Sequence, residues 1–155
     1  MARLNYFDIV AGIKTVLESD VDLQDHDAKG VRIYLSQRLD DGLPYAEMCP
    51  CVLVNLKSRA VPPERQRLTA GKTTDFNIQI ELVCVEYDLE SMEAADQRRD
   101  ELMSLVEIAL MKDRTLAGTV TSHTLAGGRF DNIRDRFYLS AAEINIFVTA
   151  RTTYQ

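Results

Sequence analysis

Two short patterns in this 155-residue chain contain residue types that bind nucleotides or metal ions. Gly71-Lys72-Thr73 resembles the end of a phosphate-binding loop, but Gln66 stands where that motif needs its first glycine. A predicted strand also follows it, where the motif needs a helix, so we interpret it as a turn in a basic loop. The acidic stretch from Asp20 to Asp27 has Asp25 and Val31 where an EF-hand needs glycine and glutamate. We therefore expect it to be a solvated loop.

Cysteine and histidine are the residues that could supply a metal ligand, a redox pair or a nucleophile. Cys49 and Cys51 are one residue apart and Cys84 is distant, unlike the two more widely spaced pairs of zinc sites. Cys84 falls on the apolar face of a predicted strand, where cysteine packs as a small hydrophobic side chain. His26 and His123 have no local catalytic signature, although spacing alone does not decide on a triad, which assembles in space. We expect no catalytic residue, metal or cofactor, and interpret both histidines as surface or packing residues.

Two basic segments are the candidate interaction sites. The first runs from Arg59 to Thr74, shows no helix or strand pattern, and has four basic residues against one acidic residue. The second is the loop RFDNIRDR from Arg129 to Arg136, beside which Phe130, Ile133 and Phe137 could act as apolar anchors. Arginine pairs with carboxylates at protein interfaces through its planar guanidinium group. The predicted interface residues are Arg59, Arg65, Arg67, Lys72, Arg129, Arg134 and Arg136. The alternative is that both segments are merely solvated.

Composition predicts one globular domain over residues 1–155, with 46% apolar and 27% charged residues. The net charge of −6 predicts that the molecule does not grip nucleic acid, because an acidic surface repels phosphate. No apolar run approaches the roughly 18 residues of a membrane span. Three cysteines, and no apolar signal region from Met1 to Asp8, predict a reducing, cytoplasmic compartment.

Hydrophobic periodicity predicts two main helices. The first spans Asn5 to Ser19, with its first residue as N-cap and one apolar face. Gly12 lies inside it and weakens it by up to about 1 kcal/mol relative to alanine, which close packing against a neighbour would explain. The second spans Asp88 to Asp113, with Asp88 or Ser91 as its cap and a later half that is apolar nearly all round.

Apolar runs and alternation predict five strands. These are Val31–Leu35, Cys51–Leu56, Asp75–Tyr87, Thr119–Leu125 and Glu143–Thr153. In the third strand, Asn77, Gln79 and Glu81 share a face that should be exposed. From Leu82 to Val85 both faces are apolar and must be covered, by the fold or by a partner. The order α-β-β-β-α-β-β predicts an α+β fold, a mostly antiparallel sheet of about five strands with two main helices packed on one face.

This order of elements resembles that of the tail-terminator proteins of long-tailed bacteriophages, the minor tail protein U-like family. The most specific likeness is the stretch VEIALMKDRTLAGTV from Val106 to Val120. It is similar to that family's passage from a helix through Asp-x-x-Leu-x-Gly-x-Val into a strand. The strand ending Glu86-Tyr87-Asp88 before the long helix fits the same family.

The resemblance implies a structural protein of the virion tail or neck, present in the host cytoplasm during assembly, with no enzymatic activity. It implies a homo-oligomeric ring, typically a hexamer, that caps the tail-tube protein, stops tube polymerisation and offers a surface to the head-completion or connector protein. DNA would pass through the lumen without specific binding. The predicted interface residues would then meet a neighbouring subunit or the tail tube. The alternatives are a head–tail joining or tail-completion protein and, from a different class, a small-ligand binding or hydrolytic domain with a polar pocket.

Overall fold

The computed structural model describes residues 5–36, 46–60, 73–134 and 138–153, and their side chains except at 46, 73–75 and 151–153. The elements in chain order are α1 (Tyr6–Ser19), α2 (Val21–Gln24), β1 (Arg32–Leu35), a 3-10 turn (Ala46–Met48), β2 (Cys51–Ala60), β3 (Thr73–Asp88), α3 (Met92–Lys112), β4 (Ser122–Ala126), β5 (Phe130–Arg134) and β6 (Tyr138–Thr153). The predicted α+β class is confirmed. The described residues form six strands and three α-helices, however, where about five strands and two main helices were predicted.

The strands form one mixed sheet in the order β1-β2-β3-β6-β4, with β5 following β4 along the same edge of β6. β1 runs parallel to β2, and the other pairs are antiparallel. β3 and β6 pair along their whole length, from Thr73 with Thr153 to Asp88 with Tyr138. This central pair of 16-residue strands positions every polar site described below.

The helix termini form where side chains can satisfy the first free backbone amides. Asn5 caps α1, as predicted, by accepting a hydrogen bond from the Phe7 amide at 3.1 Å. Ser91 caps α3, because its hydroxyl accepts from the Ala94 amide at 3.2 Å. These contacts decide between the two caps that the sequence left open for α3.

Gly12 explains how α1 fits against the chain that follows α3. A Cβ atom at this position would lie 2.5 Å from the backbone oxygen of Leu116 and 2.8 Å from the Thr119 side chain. The predicted close packing at Gly12 is therefore confirmed, and the neighbour is the turn between α3 and β4.

Two predicted loops contain regular structure instead. In the acidic stretch, Asp20 accepts a hydrogen bond from the Leu23 amide at 2.9 Å and so caps α2. Leu23 is buried, which anchors this short helix to the core. In the second basic segment, the stretch from Phe130 to Arg134 is strand β5, because it pairs with β6. Neither stretch has enough apolar residues for its own periodicity to predict the element.

The core has two parts, one on each face of the sheet. The larger part lies between the sheet and the three helices, and even-numbered residues of β3 from Phe76 to Cys84 point into it. The smaller part lies on the other face and contains Cys49, Cys51, Leu53, Val83, Val85, Leu139 and Ala141. The predicted burial of both faces from Leu82 to Val85 is therefore confirmed. None of the helices in the described ranges is long and apolar enough to cross a membrane.

Candidate interaction surfaces

All three helices lie on one face of the sheet, and the opposite face becomes polar toward the carboxyl end of β2. We call this region the open polar face; it consists of Lys57, Gln79, Glu81, Glu143 and Asn145. The strand register brings these residues together, because Glu81 pairs with Asn145 and Val83 pairs with Glu143 across β3 and β6. Phe147, with 47% of its surface exposed, lies next to Gln79 at the margin of this region.

Four charges alternate in sign across the open polar face and the adjoining loop. Lys57 Nζ lies 3.7 Å from a Glu81 oxygen and 3.5 Å from Glu143 Oε1. Arg129 Nε lies 3.5 Å from the other oxygen of Glu143. Two cations thus match two carboxylates. A patch whose charges balance suits a protein partner better than a phosphate backbone, which attracts unbalanced positive charge.

Amide side chains tie these charges to the sheet. Gln79 Nε2 donates to Asn145 Oδ1 at 3.2 Å. Asn145 Nδ2 donates to Glu143 Oε1 at 2.8 Å and to the Gly127 carbonyl at 3.0 Å. Asn145 is only 8% exposed and is hydrogen-bonded to the backbone at Gly127, so its own position is fixed. Its hydrogen bond to Glu143 therefore positions that carboxylate.

Burial would by itself raise the pKa of Glu143, which is the largest single effect on this carboxyl. The hydrogen bond from Asn145 and the positive charges of Lys57 and Arg129 outweigh burial and lower the pKa below its ordinary value. Glu143 therefore stays ionised at neutral pH, and the charge pattern of the open polar face persists.

Arg129 reaches this face because the chain passes unusually close to β6. A Cβ atom at Gly128 would overlap the backbone oxygen of Glu143. The Glu143 amide also donates to the Arg129 carbonyl at 2.8 Å. Glycine is needed at position 128 for this approach, and the approach places Arg129 beside Glu143.

A second candidate surface is a groove at the far end of β2, of about 440 Å³. We call it the Arg59 groove; it is lined by Tyr6, Leu56, Lys57, Ser58, Arg59 and Ile78. Arg59 Nη1 donates to the Tyr6 hydroxyl at 2.9 Å, and its guanidinium carbon lies 5.4 Å from the centre of the Tyr6 ring. Tyr6 in turn meets Phe76 edge-on, with ring centres 6.5 Å apart. Arg59 is thus held on an aromatic surface at the mouth of an apolar groove.

The structure separates the predicted interface residues. Arg59 lies in β2 on the helix-covered side, whereas Arg129 lies over the open polar face. Arg134 ends β5, with its guanidinium carbon 5.3 Å from the centre of the Tyr138 ring. The other four predicted residues lie outside the described residues; they are Arg65, Arg67, Lys72 and Arg136.

The sequence prediction missed Lys57, Glu143 and Asn145 as site residues. Asn77, Gln79 and Glu81 had been predicted to share an exposed face, but only the pairing of β3 with β6 places Glu143 and Asn145 beside it. Alternation therefore indicated a polar face, and the register that assembles the charges remained unknown.

A polar cluster lies under the helices at the other end of β3, where the buried Glu86 meets His26 and Arg98, with Asp27 beside them. Glu86 is fully buried, and its Oε1 lies 2.5 Å from His26 Nε2. Arg98 Nε lies 3.7 Å from Glu86 Oε2, and Arg98 also lies 3.6 Å from Asp27. Burial is the largest effect on Glu86 and raises its pKa, although His26 and Arg98 oppose the rise. The side chain of His26 packs into the fold, which agrees with one of its two interpretations, but its contact with Glu86 was not predicted.

A second polar contact lies beside this cluster and joins α3 to the β5–β6 pair. Ser140, the cross-strand partner of Glu86, accepts a hydrogen bond from Arg99 at 2.9 Å and donates one to Asp96 at 2.6 Å. The Arg99 guanidinium carbon also lies 4.5 Å from the centre of the Phe130 ring. We interpret the Glu86 cluster and the Ser140 contact as interactions that stabilise the fold, since each joins side chains of neighbouring elements.

The remaining candidate residues are engaged in packing and local contacts. Cys84 is fully buried, which confirms its predicted packing role, and burial raises the pKa of its thiol. The neighbouring Cys51 is the largest influence on Cys49 and, together with burial, raises the pKa of that thiol. Thiols held in the neutral form are poor nucleophiles and poor metal ligands. His123 Nδ1 lies 3.0 Å from the Arg114 carbonyl.

Neither a scan against protein-family models nor a search of curated proteins finds a match for this sequence. The two surfaces and the two buried polar contacts are therefore considered on their chemistry alone.

Proposed function

We propose that this protein is a structural assembly protein of a long-tailed bacteriophage. It forms a ring that caps the tail tube, terminates tube polymerisation and provides the interface for head attachment. The sequence from Val106 to Val120 supports this proposal through its resemblance to tail terminators. The structural observation that carries it is the open polar face, with its balanced charges beside an exposed aromatic ring.

An interface can cover charged groups without a large penalty when each retains a partner after water is removed, because an unpaired buried charge is costly. Lys57, Glu143 and Arg129 already form such pairs in the single chain. Phe147 adds an exposed apolar group of the kind enriched at interface centres. A partner can therefore cover this face without leaving either Glu143 or Lys57 unpaired.

The same charges suit the passage of DNA without specific binding. The chain carries a net charge of −6, and the open polar face adds no excess of positive charge. Affinity for DNA depends on cations that replace its counterions. A ring of such chains would therefore offer DNA little electrostatic attraction.

The proposal is tested by reversing one charge on the open polar face. The Arg129 side chain is 82% exposed, so Arg129→Glu should leave the fold intact while adding a third carboxylate to Glu81 and Glu143 at the open polar face. We expect tails assembled with this variant to remain incomplete, as judged by electron microscopy of tails and of joined particles. Arg114→Glu, at an exposed position in the turn between α3 and β4, is the matched control and should complete tails normally. Head-joined tails of normal length from Arg129→Glu would contradict the proposal.

The alternative of a head–tail joining or tail-completion protein predicts a different deletion phenotype. Loss of a terminator leaves the tube free to grow, so overlong tails are expected. Loss of a joining protein leaves tails of normal length that lack heads. Negative-stain microscopy of the purified protein, alone and mixed with tail tubes, would show whether rings form and where they attach.

A further inference from the structure

We propose that two copies of this chain pair through the exposed edge of β5, as neighbouring antiparallel strands with Asn132 of each copy at the symmetry axis. The contact joins the two sheets into one. It is isologous, because the same strand contributes both of its sides. It goes beyond the proposed function, since an isologous contact is complete in two copies and does not by itself build a ring.

β5 lies at the edge of the sheet, and within the described residues it pairs only with β6. The Arg129 carbonyl, just before β5, accepts a hydrogen bond from the Glu143 amide of β6 at 2.8 Å. Backbone groups alternate in direction along a strand, so those of Phe130, Asn132 and Arg134 point away from β6. All three residues are exposed. The outer edge of β5 therefore presents three sets of backbone donors and acceptors.

Antiparallel pairing about Asn132 matches these outward groups residue for residue. Asn132 lies opposite its own copy, and Phe130 lies opposite Arg134 of the second copy. Each such pair exchanges two backbone hydrogen bonds, so the three pairs form six in total. A shift of the register by two residues would leave one of the outward residues without a partner, and a shift by one would place outward groups opposite groups that face β6.

The surface around Phe130 has an excess of negative charge. Arg99 lies 3.3 Å from an Asp96 oxygen and 2.9 Å from an Asp100 oxygen, so one cation stands against two carboxylates. The Arg99 guanidinium carbon lies 4.5 Å from the centre of the Phe130 ring. Phe130 is nevertheless 59% exposed, so Arg99 covers only part of its surface. A second cation therefore has both an aromatic ring and unbalanced negative charge to meet here.

Arg134 supplies this cation from the second copy. In the described part of the chain its side chain contacts only Tyr138, at 5.3 Å from the ring centre and 3.4 Å from the hydroxyl, and no carboxylate pairs with it. Within one chain Arg134 lies four positions from Phe130, about 13 Å away at the usual rise per strand residue. In the proposed register, Arg134 of one copy lies directly opposite Phe130 of the other, beside its two aspartates. Charge therefore selects the same register as the backbone groups.

The remaining charge of β5 lies on the other face of the sheet. Charged side chains on an edge strand usually oppose pairing with a further strand. Asp131 pairs with Ala141, which faces away from the helices, and in the dimer it lies opposite Ile133 of the second copy. The two Asp131 carboxylates are then diagonal neighbours about 7–8 Å apart. Because the contact is short and includes this one repulsion, we expect a weak dimer.

Cross-linking at position 131 tests the contact directly. Asp131→Cys places a thiol at an exposed position and removes the repulsion, while the three native cysteines are buried. We expect a short bismaleimide to join two copies of this single variant. Thr124→Cys is the matched control, because Thr124 is exposed in β4 on the same edge of β6 but lies eight positions from Asn132. It should give much less dimer.

Three results of this experiment would overturn the inference. The first is an equal yield of dimer from Asp131→Cys and Thr124→Cys. The second is no dimer of Asp131→Cys at any concentration at which the protein stays in solution. The third is a product between Asp131→Cys and tail-tube protein in place of the dimer, which would assign the edge of β5 to that partner.

Hydrogen exchange measured by NMR tests the register in the wild-type chain. Raising the protein concentration should slow exchange of the Phe130, Asn132 and Arg134 amides, because these bond only in the dimer. The amides of Asp131 and Ile133 face β6 within the single chain and should change far less. A uniform change over the five amides, or no change, would contradict the register.

Charge reversal tests the selection of a second copy. Arg134→Glu should raise the Kd of the dimer about tenfold or more in sedimentation, because a third carboxylate then meets the two aspartates beside Phe130. Arg114→Glu makes the same change of charge at an exposed position in the turn between α3 and β4, and should leave the Kd within about twofold. Equal melting temperatures would show that both variants fold. Equal effects of the two substitutions on the Kd would contradict the pairing of Arg134 with the second copy.

Discussion

The two faces of the sheet hold their carboxylates in opposite ways. On the helix-covered face, Glu86 is fully buried against His26, and burial raises its pKa. On the open face, the Glu143 side chain is 12% exposed, and its partners lower its pKa. The first carboxylate is placed where ionisation is disfavoured, and the second where ionisation is maintained. The Glu86 carboxyl under the helices therefore contributes to the stability of the fold, whereas the Glu143 carboxylate on the open face remains available to a partner.

The largest expected effect comes from removing the partner of the buried carboxylate. His26→Ala leaves Glu86 buried without its closest contact, and the loss of the hydrogen-bond partner of a buried group costs about 3 kcal/mol at the upper end of the usual range. Lys57→Ala removes a partner of Glu143, but the Lys57 side chain is 45% exposed and a cost of about 1 kcal/mol or less is expected. Urea unfolding at neutral pH measures both free energies. Similar losses in the two variants would show that the faces do not differ in this way.

A smaller effect is expected where the chain is positioned over the open face. Gly128→Ala forces a methyl group onto the backbone of Glu143 and should cost about 1–3 kcal/mol. The same substitution should also move Arg129 away from Glu143. Gly127→Ala is the matched control, because a Cβ atom there meets nothing within 4 Å. Thermal unfolding of the two variants measures the difference, and equal melting temperatures would contradict the close approach at Gly128.

The smallest expected effect is the dependence of stability on pH, for which the two carboxylates should show trends of opposite sign. The pKa of Glu86 is raised from 4.5, so its stabilising contribution is complete below pH 4.5 and is lost as pH rises through the folded-state value. The pKa of Glu143 is lowered from 4.5, so its contribution is complete above pH 4.5 and is lost as pH falls through the folded-state value.

Glutamine variants isolate these two contributions. The stability of the wild type relative to Glu86→Gln should fall with rising pH, whereas its stability relative to Glu143→Gln should fall with decreasing pH. Free energies of unfolding measured from about pH 3 to about pH 8 would show both trends. Trends of the same sign for the two variants would contradict the opposite pKa shifts.

Much of the fold was predictable because local sequence determines it. Alternation marked β3 and the second half of β6, and a cap with an apolar face marked α1. The presence of Gly12 inside the helix predicted close packing there, since glycine at such a position is otherwise unfavourable. Prediction failed for α2 and β5, which are short and depend on contacts made elsewhere in the chain.

The candidate surfaces were predictable only in part. The sequence by itself determined that β3 has a polar side and that Arg59 and Arg129 lie in two basic segments, the second of which has apolar neighbours. Only the tertiary structure decided that Arg59 lies on Tyr6, that Arg129 joins Glu143, and that these arginines occupy different faces. The physical reason is that side-chain alternation is a property of one strand, whereas charge pairing depends on the register between strands that are far apart in the chain.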